Sequence, residues 1–404
     1  MILTEERIGD EQIARWRRDT PGCARRLHLN NAGCALPPRT MTEAVAAHLE
    51  REAEIGGYEA ADEAKPRIQE AYEHVARLLG CAPRNVAIVE NATVAVSQAL
   101  SAFDFEPGDV LVTTRGDYTS NQLMYLALAR RRGIEVLRAA ELPAGGVDPG
   151  SVRELVRHPR CRVVSLTWIP TNSGLVQRAE EVGEICREAG VPYLVDACQA
   201  VGQMAVSPDR LHCDYLAATA RKFLRGPRGI GFLYVSDRAL ERGDYPLGVD
   251  MGGAFLTGAD RFELVDGAGR FENWEFAYAL VLGLGEAVRY ALDAGVERCG
   301  WRAVELAAYI RERLAAVPGV RVADRGERLG AIATFVIDGW AAPDAVQRLR
   351  AIGINTSSAT VGYGPLNAPG PGTITAIRIS PHYYNTRDEV ETATAAIAGL
   401  ARER

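Results

Sequence analysis

Residues 192–235 read PYLVDACQAVGQMAVSPDRLHCDYLAATARKFLRGPRGIGFLYV. Three runs in this stretch, PYLVDA, YLAATA and GIGFLYV, are short, apolar and rich in Val, Leu and Tyr, the signature of strands buried on both faces. Only RKFLRGPR joins the last two. That is too little chain for a crossover helix, so this pair is expected to be antiparallel. Towards the N-terminus, RVVSLTWI, IEVLRA, DVLVTT and VAIVE read as four more strands. Between them lie TVAVSQALSAF, NQLMYLALARRRG and AEEVGEICREAG, with apolar residues at helical spacing, the last ending in the C-capping pair Ala-Gly. Strand–helix alternation of this kind predicts an α/β fold, a mostly parallel seven-stranded sheet flanked by helices.

After about residue 265 the texture changes. FAYALVLGLGEAVRYALDAG and WRAVELAAYIRERLAAV read as long helices. GAIATFVI, APDAVQRLRAIG, ITAIRIS and a last helix from about Thr386 then predict a smaller α+β C-terminal domain. The division expected is an N-terminal segment, 1–20, packed on the small domain or on a partner; a large domain, 21–265; and a small domain, 266–404.

Composition narrows the function classes. The 404 residues are 47% hydrophobic and 24% charged, with a net charge of −6. There is no basic stripe interleaved with aromatics, which argues against nucleic acid as a partner. No apolar run reaches the roughly 18–20 residues that span a bilayer, and the acidic start MILTEERIGDEQ is no secretory signal. The eight cysteines show no CxxC and no regular framework. Reduced cytoplasmic thiols are expected, and no metal site.

Of the 46 basic residues, two are lysine, Lys65 and Lys222; the rest are arginine. Arginine replaces lysine on most surfaces but not where an amine must lose its proton and attack a carbonyl. Lys65 lies in a charged helical stretch and reads as a solvated residue. Lys222 follows a strand and precedes a glycine-rich turn, a place suited to a Schiff-base lysine or to a structural one.

Ligands of open α/β sheets bind beyond the C-terminal strand ends. At those ends stand Asn91-Ala92-Thr93, an N-cap or a phosphate site at a helix start, and Tyr118, able to stack on a flat ring. Thr171 and Asn172 lie in a polar turn. Asp196 is a carboxylate that needs a partner, with Gln199 one turn on, and Thr219 and Arg221 precede Lys222. Each feature alone has an ordinary structural reading. A phosphate anchor, an aromatic plate, a carboxylate and a lysine on one sheet edge together suit pyridoxal 5'-phosphate. GLGEAV, a partial dinucleotide motif, lies within a helix pattern and fits worse.

With VDACQAVGQ, then TARKFLRGPRGIG, the chain resembles the class V aminotransferase superfamily, the fold type I pyridoxal-phosphate enzymes. The resemblance runs from LHLNNAG to SPHYYNTRDEVE. It is nearest the branch of ergothioneine-pathway C–S lyases and isopenicillin N epimerase-like proteins. It implies that Lys222 carries the cofactor as a Schiff base and that Asp196 partners the ring nitrogen. Gln199, with Thr171 or Asn172, would meet the phenolic oxygen. Ala92, Thr93, Thr219 and Arg221 would cup the phosphate, with Tyr118 stacked on the ring. Arg378 would clamp the substrate carboxylate, a task suited to a planar guanidinium fork. Asn31 and Tyr58 resemble residues lining the same cleft. Trp274, in RFENWE, stands in a segment that in the family reaches the neighbouring subunit's site, and reads as pocket wall or core. Tyr363 is a further pocket-loop residue.

Cysteine desulfurases carry a nucleophilic cysteine on a loop before the clamp arginine; here that stretch, GINTSSATVGYGPLNAPG, has none. The resemblance therefore implies a C–S lyase that eliminates sulfur from a cysteine S-conjugate or its sulfoxide. An aminotransferase, an epimerase or a decarboxylation-coupled oxidative deaminase, as in lincosamide-type antibiotic biosynthesis, is the alternative. A homodimer with active sites at the interface is the expected form.

Overall fold

The computed structural model describes residues 8–361 and 374–403. Seven strands build its central sheet: β1 (Val86–Val89), β2 (Val110–Thr113), β3 (Glu135–Arg138), β4 (Cys161–Thr167), β5 (Tyr193–Asp196), β6 (Tyr215–Thr219) and β7 (Gly231–Val235). Their spatial order is β1-β7-β6-β5-β4-β2-β3. Strands β2 to β6 are mutually parallel. β7 is antiparallel to both its neighbours, as the short β6–β7 connection requires.

Alternation along each strand feeds two cores. Val86 and Ile88 pack on one face with Val75 and Leu79 of helix Gly57–Leu79 and Leu284 of helix Tyr278–Ala294. Ala87 and Val89 pack on the other with Ala95 and Ala99 of helix Ala92–Ser101 and with Tyr125 of helix Thr119–Arg132. Burial on both faces is why the inner strands are largely apolar, whereas β3, at the sheet edge, carries the exposed Glu135. At the open edge of the sheet, the backbone N–H of Ile88 donates to the Glu272 carboxylate at 2.5 Å, and the Tyr72 hydroxyl donates to the same oxygen at 2.8 Å. Burial raises this carboxyl to about 7, partly offset by those two hydrogen bonds.

The C-terminal part has its own antiparallel sheet, of β8 (Val320–Val322), β9 (Ala333–Ile337), β10 (Ser357–Val361) and β11 (Ile374–Ile379), in the order β8-β9-β11-β10. Helices Val296–Ala315 and Arg387–Arg402 cover it through Leu306, Ile310, Val390 and Ile397. The last helix starts in a capping box between Thr386 and Glu389. Helix Asp10–Arg18 lies on this part: Trp16 meets Tyr383 edge-on, ring centroids 4.8 Å apart, and Arg17 pairs with Glu389 at 2.9 Å. Leu27–His28 pairs with Ile354–Asn355, and Asn30 bridges to Ser380, so residues just past the N-terminal helix join the small sheet's surroundings. A hairpin, Ala254–Gly258 with Arg261–Leu264, stands off the body with Phe255, Leu256 and Phe262 exposed.

Candidate active site

The C-terminal ends of β4, β5 and β6 and the start of helix Ala92–Ser101 enclose a cleft of about 490 Å³. Ala92, Thr93, Tyr118, Thr171, Asp196, Gln199, Thr219, Arg221 and Lys222 all line it, so the sheet topology gathers nine of the residues named from sequence. Asn91, Asn121, Thr167, Cys198 and Arg228 are also in the wall.

Lys222 sits three residues past the end of β6 and is 7% exposed. Its amine lies 5.8 Å from the centroid of the Tyr118 ring. Burial lowers its pKa; Arg221 and Arg378 add to the shift, while Cys198 and Asp196 oppose it. The result is an amine readier than an ordinary lysine to act as nucleophile or base. Asp196 ends β5 and is buried. One carboxylate oxygen accepts from Nδ2 of Asn121 at 3.0 Å, the other from the backbone N–H of Cys198 at 3.0 Å. The Cys198 thiol is itself buried, and burial pushes its pKa up.

Helix Ala92–Ser101 opens with Asn91, whose side chain accepts from Val94 N–H at 3.1 Å. The N–H groups of Ala92 and Thr93 belong to the first turn, where no helical acceptor exists, and the positive end of the helix dipole lies there. With the Thr219 hydroxyl and the Arg221 guanidinium in the same wall, this end of the cleft is built for an anion such as phosphate.

At the other end Gln199 donates to the Ala32 carbonyl at 3.0 Å and to the Thr171 hydroxyl at 3.1 Å, while its buried Oε1 has no partner among the described residues. Arg378, on β11 and 7% exposed, donates through Nη1 to the Thr171 carbonyl at 2.8 Å and hydroxyl at 2.9 Å. Its Nη2 donates to the Asn30 side chain at 3.1 Å. Its Nε is buried without an acceptor among the described residues. Burial, reinforced by the charge on Arg221, brings this guanidinium down to about 10. A buried cation with an idle donor favours a carboxylate ligand.

Beneath the cleft floor Asp117 accepts from the hydroxyls of Thr113, Thr114 and Tyr125 and from Thr167 N–H at 2.5–3.0 Å. Tyr118, next in the chain, donates its N–H to the Thr167 hydroxyl at 3.2 Å. This network fixes the start of helix Thr119–Arg132, and so Tyr118 and Asn121, against β4. Burial raises the Asp117 carboxyl to about 6.

Five residues named from sequence are outside the wall: Arg378, which adjoins it through Thr171, and four others. Asn31 is fully buried, donating to the Ser380 carbonyl at 2.8 Å and accepting from the Tyr384 hydroxyl; its neighbour Asn30 is the one that reaches Arg378. Asn172 is not part of the lining. Tyr58 and Trp274 are 77% and 54% exposed, away from the cleft of their own chain. Tyr363 lies outside the described residues. Conversely, Asn121 was not singled out from sequence, although a residue three past Tyr118 in a helix shares its face.

The sequence profile described as "Aminotransferase class-V" matches residues 27–392. The chain is 31% identical over 405 residues to a probable hercynylcysteine sulfoxide lyase of Mycobacterium tuberculosis, covering 98% of this chain and 96% of that one. It is 28% identical to a probable cysteine desulfurase of Methanothermobacter thermautotrophicus, covering 95% and 97%. The fold superposes on the apo cysteine desulfurase of Thermococcus onnurineus NA1 with a TM-score of 0.87 at 23% identity, covering all of both chains. That last likeness is one of fold. The chain belongs to the class-V aminotransferase family and is a pyridoxal-phosphate-dependent enzyme of the cysteine desulfurase and C–S lyase type. Its cleft fits that cofactor: an anion site at one end, a lone buried carboxylate and a lysine in the middle, and an unpartnered acceptor on Gln199.

Proposed function

We propose that this enzyme is a C–S lyase that breaks the Cβ–S bond of a cysteine S-conjugate or its sulfoxide, giving pyruvate, ammonia and a thiol-type product, a thiol from the conjugate and a sulfenic acid from the sulfoxide. In this reading Ala92, Thr93, Thr219 and Arg221 hold the cofactor's phosphate and Asp196 its ring nitrogen. Tyr118 covers the ring, Gln199 and Thr171, with Asn172 beside them, serve the phenolic oxygen, and Lys222 carries the cofactor covalently. When bound, the cofactor accepts the negative charge that develops at the substrate's Cα. Arg378 takes the substrate carboxylate on its idle Nε edge, which sets which Cα bond is aligned for cleavage. The Lys222 amine, once released, is the base nearest the Cα proton, and its desolvation lowers its pKa, which favours the neutral amine. Loss of that proton expels sulfur from Cβ with its electron pair. Water then converts the aminoacrylate product to pyruvate and ammonia.

One observation carries the choice of lyase over desulfurase. The single thiol among the described wall residues, Cys198, is buried behind Asp196, with a pKa raised by that burial. No cysteine follows Cys299 in the sequence, so none precedes Arg378 on its loop. The full-length likeness to a hercynylcysteine sulfoxide lyase supports the same reading. The reading includes a homodimer: Leu247, Met251 and Leu256 are 67–80% exposed, and with Phe255, Phe262 and Trp274 they are large apolar side chains that a partner subunit would cover. Trp274 would then serve the partner's cleft, with Tyr58 at its rim. Eight free thiols suit a cytoplasmic location.

The test is to give the holoenzyme cysteine S-conjugates, their sulfoxides and free cysteine, and to measure pyruvate, thiol and sulfide. Equimolar pyruvate and thiol from the conjugates supports the lyase. Sulfide or persulfide from cysteine with alanine as co-product overturns it in favour of a desulfurase. A keto acid or a racemised substrate moves the assignment to transamination or epimerisation.

A further inference from the structure

We propose that Asp324 is a positioning residue for Arg378 and, through it, sets the enzyme's preference for a free substrate carboxylate. The inference rests on the reading that Arg378 binds that carboxylate. Asp324 lies on the connection between β8 and β9, far along the chain from the cleft, and its side chain is 1% exposed. A carboxylate so buried is costly unless every lone pair is used. Here four donors use them. Arg311 Nε donates at 2.8 Å, the Thr334 hydroxyl at 2.6 Å, Thr334 N–H at 3.1 Å and Gly174 N–H at 3.3 Å.

Two of those donors flank Arg378. Thr334, on β9, is its direct partner across the β9–β11 ladder, and directly opposed residues of antiparallel strands project to the same side. Gly174 closes the turn that begins at Thr171, and Thr171 supplies both acceptors of Arg378 Nη1. Asp324 therefore ties together the strand beside Arg378 and the turn that orients it. The tie joins the two sheets, because the turn follows β4 of the large sheet while Thr334 belongs to the small one.

The fit at the turn is close. The Gly174 and Gly330 backbones hydrogen-bond at 2.7 Å, and Leu175 bridges to Leu329. A Cβ on Gly174 would run into the Ile332 carbonyl and the Arg311 guanidinium. Arg311 also donates to the carbonyls of Gly330 and Ile332, so the pair it forms with Asp324 is satisfied on both sides. An apolar residue at 324 would leave the Arg311 charge buried without its partner, which is strongly destabilising, so the near-isosteric amide is the informative replacement. What it would lose is the angular definition of Thr171 against Arg378. A guanidinium reads a carboxylate through a fixed fork, so a small turn of the fork weakens binding of the anion and not of a neutral analogue.

The experiment titrates holoenzyme with L-alanine, which has no leaving group, and with its methyl ester, following the visible cofactor band and the heat of binding. For Asp324→Asn the expected result is an L-alanine affinity about 5- to 20-fold weaker, the scale of one charged hydrogen bond misaligned. Ester affinity should stay within about twofold. With a reactive S-conjugate, the loss should fall on KM more than on kcat. Thr334→Val, which removes only the hydroxyl, should shift the same ratio in the same direction and covers the case in which Asp324→Asn folds poorly. Equal weakening of L-alanine and its ester, or no weakening in either variant, overturns the proposal. Arg378→Gln separates the premise. If it weakens L-alanine selectively while the two positioning variants do not, the positioning role alone fails. If it leaves L-alanine binding unchanged, the carboxylate reading of Arg378 falls, and this inference with it.

Discussion

Replacing Asn121 with alanine isolates the support given to the carboxylate at the centre of the cleft. Among the described residues the Asn121 amide donates to Asp196 at 3.0 Å; Cys198 also donates to it, from its backbone N–H and from its thiol, and the substitution leaves Cys198 in place. A hydrogen bond to a charged group contributes about 1.5–3 kcal/mol, and 1.36 kcal/mol is tenfold in rate. If Asp196 stabilises positive charge on the cofactor ring as the reaction proceeds, Asn121→Ala should lower kcat/KM roughly 10- to 150-fold. It should not abolish turnover, because the second donor remains. The assay is pyruvate release under steady state, with cofactor content and affinity measured on the same preparation. Asp196→Ala should be far more damaging. Activity of Asn121→Ala within threefold of the native enzyme, with cofactor fully bound, would refute the reasoning, as would a loss equal to that of Asp196→Ala.

Four other outcomes are expected. Lys222→Ala should lower pyruvate formation by at least about 10²–10⁴-fold, the usual weight of a general base, with an unchanged circular dichroism spectrum; native turnover in this variant would sink the assignment of Lys222. Arg378→Lys keeps the charge but loses the planar fork, so KM for an S-conjugate should rise roughly tenfold or more, and an unchanged KM would speak against the clamp. Glu272 bears on stability against pH: its folded carboxyl titrates at about 7 against 4.5 unfolded, so unfolding releases a proton between those values and stability falls as pH rises through that window. Glu272→Gln keeps an acceptor for Ile88, so by thermal denaturation it should gain up to about 3 kcal/mol over the native protein above pH 7 and converge with it near pH 4.5; a parallel offset at all pH values would contradict the shift. Leu256→Asp, at a residue 80% exposed on the hairpin, should give monomers by light scattering where the native protein gives dimers; a native monomer would remove the dimer from the proposal.

Much of the large sheet was readable in advance. Six of the seven strands fall within the runs read from sequence and the other, Cys161–Thr167, starts one residue before its run, because strands buried in the sheet are largely apolar and are bounded by polar turns. The position rule for α/β sheets did the same for Asp196, Thr219 and Lys222, each at or just past a C-terminal strand end. Arg378 was not readable from pattern. It lies next to the last residue of β11 in the small sheet, and only the packing of that sheet onto the Thr171–Gly174 turn brings it to the cleft; its role entered through resemblance. The adjacent asparagines of LNNAG show a finer limit. Which of Asn30 and Asn31 faces Arg378 depends on the isolated bridge between Asn30 and Ser380, a long-range contact that leaves no local trace. The exposed hairpin is illegible for the opposite reason: its apolar side chains have no core in their own chain to impose a pattern.

The reversed strand β7 has a consequence for the order in which the molecule is made. β1 has β7 as its one neighbour in the sheet, so Val86 waits for Tyr234 before its ladder exists. The phosphate-end helix that follows β1 packs on Tyr125 and Leu194, which are made earlier, but the strand leading into it gains its ladder only when the chain has been synthesised to about residue 235. From that moment every strand of the large sheet is available, and the cofactor end of the cleft can close. Arg378 arrives about 140 residues later, roughly 7–30 s at ordinary elongation rates. The nascent enzyme would thus be able to capture its cofactor well before it can grip a substrate, a delay that keeps a half-built site from turning over.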